Sequence, residues 1–426
     1  MRLYRTSTPD RPDRRFGVWP LLLLLLAWAV TRALLILALH GDWKFPGTDV
    51  SPDVWRIYRG WYEVLRSGSF PINDVTWQYP PVAAAAMLAP ALLPFFSYAG
   101  AFYVLACACD FIVLVLLLRA GRTNGGGLAG AWLWVVGMAV LGPIVLARYD
   151  VMVTAVAVGT LLAAVRHPRV AGVLAAIGAL FKVWPVLALI GVARGRATRR
   201  AWTTAAVAGA VICGLFLAFT RGAFGFLTEQ KDRGIEIESA AALPFHLARY
   251  AGLWHGTDRL NYGSFEFLGP YVHTVATLSI AVTALAFAWL VWWRIKARVF
   301  TTAVLFDAAF TAVLLFITTS RVISPQYMIW LLGLGGLCLA TRSTVQRFPV
   351  LLALVACVFT VLEFPIGFGH VINSDGPGLV LMLSRNGLLV AASFSACRSL
   401  WRSSVPTSSA AVPHARTRED EPALSG

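Results

Sequence analysis

Runs of about twenty apolar residues recur along this chain, and no other feature restricts its fold so severely. Inside a bilayer every backbone amide and carbonyl must be satisfied within its own segment, so repeated open-chain runs of this length specify α-helices. Full-length candidates are read at 18–40, 98–118, 128–147, 150–165, 201–220, 269–293, 299–319, 324–341, 348–366 and 377–397. Two further apolar segments are interrupted, 80–97 by prolines and 170–193 by Lys182 and Pro185. The expected fold class is therefore an all-α polytopic membrane protein of about 12 helices, short broken ones included. With 58% hydrophobic and 13% charged residues, a soluble globular protein is excluded.

The formal charge of +15 does not signal nucleic-acid binding, because the arginines stand at the ends of apolar runs and no soluble basic domain exists. Arginine and lysine in short loops mark the cytoplasmic side. One threading gathers there the N-terminal tail, Arg119/Arg122, Arg166/Arg169, Arg194 to Arg200, Arg294 to Arg298, Arg342/Arg347 and Arg398/Arg402. It requires 80–97 to stay at the outer face without crossing, and 170–193 to rise and return as two short helices meeting near Lys182. A rival in which both segments cross once leaves Arg119, Arg122, Arg166 and Arg169 outside, and the first threading is preferred. Residues 1–17 are then a cytoplasmic basic tail, and 18–402 the transmembrane domain with outer loops 41–97 and 221–268. Residues 403–426, rich in Ser, Pro, Ala and charge, are expected to be a disordered cytoplasmic tail. The first run lacks a small-x-small cleavage site and is read as a retained helix. Both termini are cytoplasmic in this reading. The six cysteines lie in or at the ends of apolar runs without metal-knuckle spacing, and read as small hydrophobes.

The stretch from Thr48 to Pro81 is unusual for such a chain, since it carries Asp49, Asp53, Glu63 and Asp74 among many aromatics. Ser51 and Pro52 suit the start of a helix. Val54, Ile57, Tyr58, Trp61 and Leu65 then share one face, opposite Asp53, Arg56, Arg59, Glu63 and Arg66. That pattern predicts an interfacial amphipathic helix with aromatics at headgroup depth. Glu63 belongs to a solvated face. Asp53, at the helix start, is either a cap or a carboxylate kept ionised by the helix dipole, and Asp49 competes with it for both roles. Asp74 and Trp77-Gln78-Tyr79 precede Pro80-Pro81, which fix the backbone entering the next helix. Those aromatics either stack on a sugar or anchor at the interface.

These residues carry a resemblance. Asp53-Val54-x-x-x-Tyr58, Leu65-x-x-Gly68-x-x-Pro71, Asp74 and Tyr79-Pro80-Pro81 resemble the first outer loop of GT-C glycosyltransferases. They are most similar to glycosyltransferase family 87, the polyprenyl-phosphate-mannose-dependent α-mannosyltransferases. The likeness continues through GPIVLARYDVMVTAV, AGVLAAIGALFKVWPVLAL and SRVISPQYMIWLL, and so covers residues 18 to 340. It implies a GT-C-like fold and a membrane enzyme that moves a sugar from a lipid-phosphate donor to a lipid or glycan acceptor on the outer face. A multi-pass protein of a bacterial plasma membrane is implied as its setting. Two departures stand out. Asp49-Val-Ser-Pro-Asp53 offers two acids where the family pattern needs one. Asp53 also stands five residues before Tyr58, where relatives show four.

Other ionisable residues at membrane depth face a partner or a cavity. Arg148 and Asp150 either pair with each other or line a cleft. Lys182 lies where two short helices meet, and Arg321 begins a helix in RVISPQY with Gln326 nearby; both are candidates, with Arg148, for a donor phosphate. Asp110, Asp307 and Arg385 fall inside apolar runs, as relay groups or as hydrogen-bonded links between helices. In the second outer loop, KDRGIEIES brings Arg233, Glu236 and Glu238, and resembles an acceptor-side loop. Substrate contacts are thus expected from Asp74, Trp77, Gln78, Tyr79, Asp150, Glu238 and Gln326. The histidines lack ligand spacing and no D-x-D pair occurs, so neither metal nor cofactor is expected. Two functions follow: an inverting transferase with one aspartate base, Asp53 or Asp49, or a multi-pass transporter or flippase using the buried acids.

Overall fold

Helices carry the chain through the bilayer, and the protein is an all-α polytopic membrane protein. The computed structural model describes residues 16–72, 74–229 and 233–406. The expected tails before residue 16 and after 406 lie outside the described residues. After α1 (Val18–His40) comes a long connection bearing α2 (Arg59–Leu65) and α3 (Ala83–Leu88). There follow α4 (Tyr98–Asn124), α5 (Ala129–Leu141), α6 (Asp150–Arg166), α7 (Pro168–Phe181) and α8 (Arg196–Phe219). A second long connection holds α9 (Phe226–Glu229) and α10 (Leu243–Tyr250). The chain ends with α11 (Val272–Lys296), α12 (Thr302–Thr319), α13 (Tyr327–Leu339), α14 (Arg347–Val361), α15 (Phe368–Asn373) and α16 (Gly376–Ser404). Among the described residues seven helices are long and apolar enough to cross a membrane: α1, α4, α8, α11, α12, α14 with its C-terminal π-turn, and α16.

α5, α6 and α13 are shorter because their ends at one face of the bundle give way to other backbone. α5 passes into a 3-10 helix at Gly142–Val145, and α6 and α13 begin after the irregular stretches 146–149 and 320–326. Non-helical backbone at such depth is tolerated where it is buried in protein or lines a cavity. This is the end that carries the two long connections, and it is called outer below.

The basic loops collect at the opposite end. Gly126 N donates to Ala340 O (3.1 Å) and Arg342 N to Asn124 O (3.1 Å), so the α4–α5 and α13–α14 turns meet. Arg294 donates to Thr198 Oγ1 (2.8 Å) and Arg298 N to Ser404 O (2.8 Å). A β-carbon on Gly172 would strike Ala201 O and Thr204, so α7 and α8 start side by side. The Arg119/Arg122 and Arg166/Arg169 turns therefore share one end with the rest. Segment 80–97 accordingly turns back: Val82 N bonds Leu180 O (2.9 Å) at the top of α7, and Tyr98 Oη at the start of α4 donates to Met87 O (3.1 Å). Segment 170–193 rises as α7, unwinds at Lys182, and descends through a 3-10 helix at Trp184–Leu189. Gly178 faces Pro185 across this hairpin, where a β-carbon would lie 2.7 Å from the proline ring.

The helix after Ser51 forms, but its surroundings differ from expectation. Val54, Tyr58, Trp61 and Leu65 are buried in the main hydrophobic core rather than laid on lipid. Tyr58 meets Phe102 (5.4 Å between centroids) and Trp61 meets Trp77 (5.1 Å), so aromatic packing on protein fixes this helix. Ser51 makes no cap; its amide and hydroxyl both donate to Asp49 (2.9 and 3.0 Å). The first turn, Asp53–Tyr58, is a π-helix. A π-turn absorbs one extra residue. The five-residue spacing from Asp53 to Tyr58 is thereby accommodated without moving the helix that follows.

The sequence offered no expectation of sheet, yet the second connection contains one. β1 (Ile235–Glu236), β2 (Thr257–Asn261) and β3 (Ser264–Leu268) pair antiparallel in the order β1-β3-β2. The β2–β3 hairpin turns at Tyr262-Gly263, both at positive φ, the geometry that two-residue hairpins need. Ile235, Ile237, Phe245, Trp254 and Phe267 form its core and rest on Val371 and Met382. His246 joins the sheet to the start of α16, within bonding distance of Ile237 O (2.7 Å) and Ser374 Oγ (2.8 Å). Burial drives its pKa down to about 4.

Candidate functional site

Between the two outer connections and the unwound backbone lies a cavity of about 680 Å³. Asp49, Asp53, Gln78 and Tyr79 line it from the first connection, and Arg233, Glu236 and Glu238 from the second. Arg148 and Lys182 reach it from the stretches after α5 and α7, Arg321 and Gln326 from the stretch before α13. These are the places where helices stop, so side chains there project into the opening instead of onto a neighbouring helix.

Arg148 and Asp150 were open to mutual pairing, and each has taken another partner. Arg148 forms an ion pair with Asp53, whose side chain remains 36% exposed while that of Arg148 is 12% exposed. Lys182 Nζ bonds Asp150 Oδ1 (2.7 Å), and Trp330 Nε1 donates to the same oxygen (2.7 Å). The rings of Trp330, Tyr327, Tyr149 and Tyr79 stand 4.8, 5.0, 5.3 and 5.9 Å from the ammonium. Negative ring faces and a buried carboxylate compensate a cation that would otherwise be costly here. Burial pushes the Tyr79 hydroxyl up to about 12, with Asp150 adding to it, so Tyr79 is a donor at neutral pH.

Across the cavity Arg233 donates to Glu266 Oε1 (3.2 Å), Ser264 Oγ (3.0 Å) and Gln78 Oε1, tying the sheet to the first connection. Gln78 Nε2 returns bonds to Val75 O (3.0 Å) and Tyr262 O (3.4 Å). Burial, then the nearby Arg233, lower the pKa of Arg321, while Glu266, the acid paired with Arg233, opposes the shift. Glu236 and Glu238 are raised, chiefly by burial. Arg233 and Arg385 oppose the shift of Glu236, while Glu236 and Glu363 add to that of Glu238.

Of the residues singled out in sequence, the cavity brings together Asp49, Asp53, Arg148, Lys182, Arg321, Gln78, Tyr79, Glu238 and Gln326. Three are elsewhere. Asp74 is turned away, accepting from Trp61 Nε1 (2.8 Å) and from Thr76 N (2.9 Å). Trp77 is 2% exposed and packs between Trp61 and Phe70, unable to stack on a ligand. Asp150 stands behind Lys182, which it holds by an ion pair. In sequence Glu236 enters only through the loop that resembles an acceptor-side loop; it lines the cavity from the end of β1, and Glu238 from the turn that follows. The interior acids are links between elements. Asp110 binds Arg32, Asp307 accepts from Thr344 Oγ1 (2.6 Å) and Val345 N (3.1 Å), and Arg385 pairs with Glu363.

The sequence model of glycosyltransferase family 87 matches residues 77–325, from the aromatic run before Pro80-Pro81 to the stretch leading into α13. No curated protein and no solved structure matches the chain.

Proposed function

Because the chain belongs to glycosyltransferase family 87, and is thus a membrane glycosyltransferase, we propose that its donor is a polyprenyl-phosphate-linked sugar, mannose by resemblance, and its acceptor a lipid or glycan hydroxyl at the outer face. The transport reading gives way to the family membership. The observation that carries the proposal is one cavity holding a half-exposed carboxylate, Asp53, together with the cations Lys182, Arg148 and Arg321.

The reaction asks little more of a protein. Asp53 takes the proton of the acceptor hydroxyl as that oxygen bonds to the anomeric carbon. The anomeric C–O bond to phosphorus breaks on the opposite side, its electron pair leaving with polyprenyl phosphate, and configuration inverts. The leaving group needs no proton, only cations facing the phosphate. Arg321 supplies one at one corner of the cavity, and Lys182 another. Arg148 orients Asp53 and offers a third contact. Asp49 is the alternative base. Its two oxygens are committed to Ser51, which favours Asp53.

The test is transfer itself. Purified full-length protein in lipid vesicles, given radiolabelled polyprenyl-phosphate mannose and octyl α-mannoside, is expected to yield a disaccharide glycoside. The yield should depend on donor and be absent with Asp53→Asn. Uptake of either compound without product would overturn the proposal.

A further inference from the structure

One wall of the cavity is chemically odd. Ile235 and Ile237 face the small core under the sheet, while Glu236 at the end of β1 and Glu238 in the turn after it line the cavity. Both are more than nine-tenths buried, at 1% and 6% exposure. One oxygen of Glu236 accepts from Ser324 Oγ (3.3 Å), but its Oε2 has no hydrogen-bond partner among the described residues. Glu238 stands close to Glu363, and its Oε1 likewise has no hydrogen-bond partner among the described residues. A buried polar atom left unsatisfied costs about 1–3 kcal/mol. Two of them in one wall indicate a ligand that brings hydroxyl donors.

Aromatic rings in the same cavity narrow the class. Phe265 and Phe368 line the same cavity and meet edge to face at 5.6 Å. Phosphate is disfavoured by an acidic wall. An organic cation is disfavoured too, since Arg385 approaches the pair from behind through Glu363 and the Glu238 carbonyl. A hexose ring suits both features, with hydroxyls along its edge and apolar C–H groups on its face.

We propose that Glu236 and Glu238, with Phe265 and Phe368, form a hexose subsite in which the two carboxyl groups bind adjacent sugar hydroxyls. The proposal rests on the glycosyltransferase reading of the same cavity and adds the residues that recognise the sugar ring. Burial holds both carboxyls above their ordinary range, toward the neutral form. Neutral groups act by hydrogen bonding and not by charge, so glutamine is a near-replacement and leucine is not.

The ring belongs either to the donor or to the acceptor, and kinetics separates the two. Full-length protein in nanodiscs is assayed with polyprenyl-phosphate mannose and octyl α-mannoside, in wild type and in Glu236→Leu, Glu236→Gln, Glu238→Leu and Glu238→Gln. For an acceptor subsite, the leucine variants raise the octyl mannoside KM about tenfold or more, and the glutamine variants stay within about threefold. For a donor subsite, the KM for polyprenyl-phosphate mannose rises instead, while inhibition by sugar-free polyprenyl phosphate is unchanged. Leucine variants that alter neither KM overturn the proposal. So do variants that shift both KM values and the polyprenyl phosphate inhibition constant alike, the mark of a general structural defect. If wild type transfers nothing, the donor assignment falls. The subsite is then read from binding of octyl mannoside alone, by intrinsic tryptophan fluorescence, and equal affinity in wild type and Glu238→Leu overturns it.

Discussion

Two arginine–aspartate pairs, built from the same groups, occupy two regions of this molecule with opposite consequences. Arg32 and Asp110 join α1 to α4 deep in the bundle, through Nε–Oδ2 at 3.0 Å and Nη2–Oδ1 at 2.9 Å, with side chains 2% and 0% exposed. Further partners surround both groups. Arg32 also donates to Val135 O (3.0 Å) and Thr31 Oγ1 (3.0 Å), and Trp28 donates to Asp110. Arg148 and Asp53 meet at the edge of a cavity, where the carboxylate keeps a third of its surface open. A pair sealed inside the bundle holds helices together and offers nothing to a ligand. A pair at an opening can exchange a partner for a substrate. What distinguishes glue from chemistry is the completeness of the surrounding hydrogen bonds, not the residue types.

The largest expected effect breaks the sealed pair. Asp110→Ala leaves the Arg32 guanidinium buried without its counter-ion, a change that costs about 3–5 kcal/mol. Thermal unfolding of detergent-purified protein should show it, whereas turnover per folded molecule should stay within about twofold of wild type. Removing both charges together, as Arg32→Met with Asp110→Leu, should recover most of the loss. A well-folded Asp110→Ala protein without turnover would collapse the comparison and return this acid to the relay role once open to it.

Next comes the open pair. Asp53→Asn keeps shape but removes the base, so turnover should fall about 10²-fold or more with melting little altered. Asp49→Asn should cost far less, since Asp49 serves the Ser51 turn. The reverse pattern in the two variants makes Asp49 the base.

How much of this could be read beforehand depends on which force dominates each element. The membrane helices were legible because hydrophobicity over twenty residues admits one solution. The buried face of the helix after Ser51 was legible from its spacing, but not that Phe102 and Tyr149 would cover it in place of lipid. Periodicity reports an apolar face and is silent on what meets it. Pairings across long separations were out of reach: nothing local tells Arg148 to choose Asp53 over Asp150. The sheet left a readable trace in the alternation around Ile235–Glu238 and in Tyr262-Gly263, a weaker hairpin signal than Asn-Gly. Asp74 misled for a similar reason. An acid among aromatics resembles a sugar site whether or not its oxygens are already occupied.

A third, smaller effect tests an intermediate case, Lys182, whose acid partner is sealed while the ammonium faces the cavity. Lys182→Met alone would strand Asp150, so the informative variant is Lys182→Met with Asp150→Asn, which removes both charges and keeps the Trp330 bond possible. The donor KM should rise about tenfold, with acceptor KM unchanged and the fold retained. Arg321→Met should shift it in the same direction by less. An unaltered donor KM in both would leave Arg148 as the sole phosphate candidate among the three.

The smallest effect belongs to Asp74, an acid of the same outer connection whose hydrogen bonds, like those of Asp110, are complete. Burial pushes its pKa up, but hydrogen bonds from Thr76 and Trp61 outweigh that and hold the carboxyl below its ordinary value. A group whose folded pKa is depressed stabilises the fold fully above its unfolded value, near 3.9, and loses that contribution as pH falls through the folded value. Asp74→Ala should therefore cost about 1 kcal/mol at neutral pH and flatten the acid side of the stability profile below about pH 4. Turnover per folded molecule should stay near wild type, since Asp74 faces Trp61 and Thr76 rather than the cavity. The discriminating measurement is acceptor KM. A rise comparable to that of the leucine variants at Glu238 would mean that a satisfied acid can still serve a substrate, and that hydrogen-bond completeness does not separate glue from chemistry in this fold.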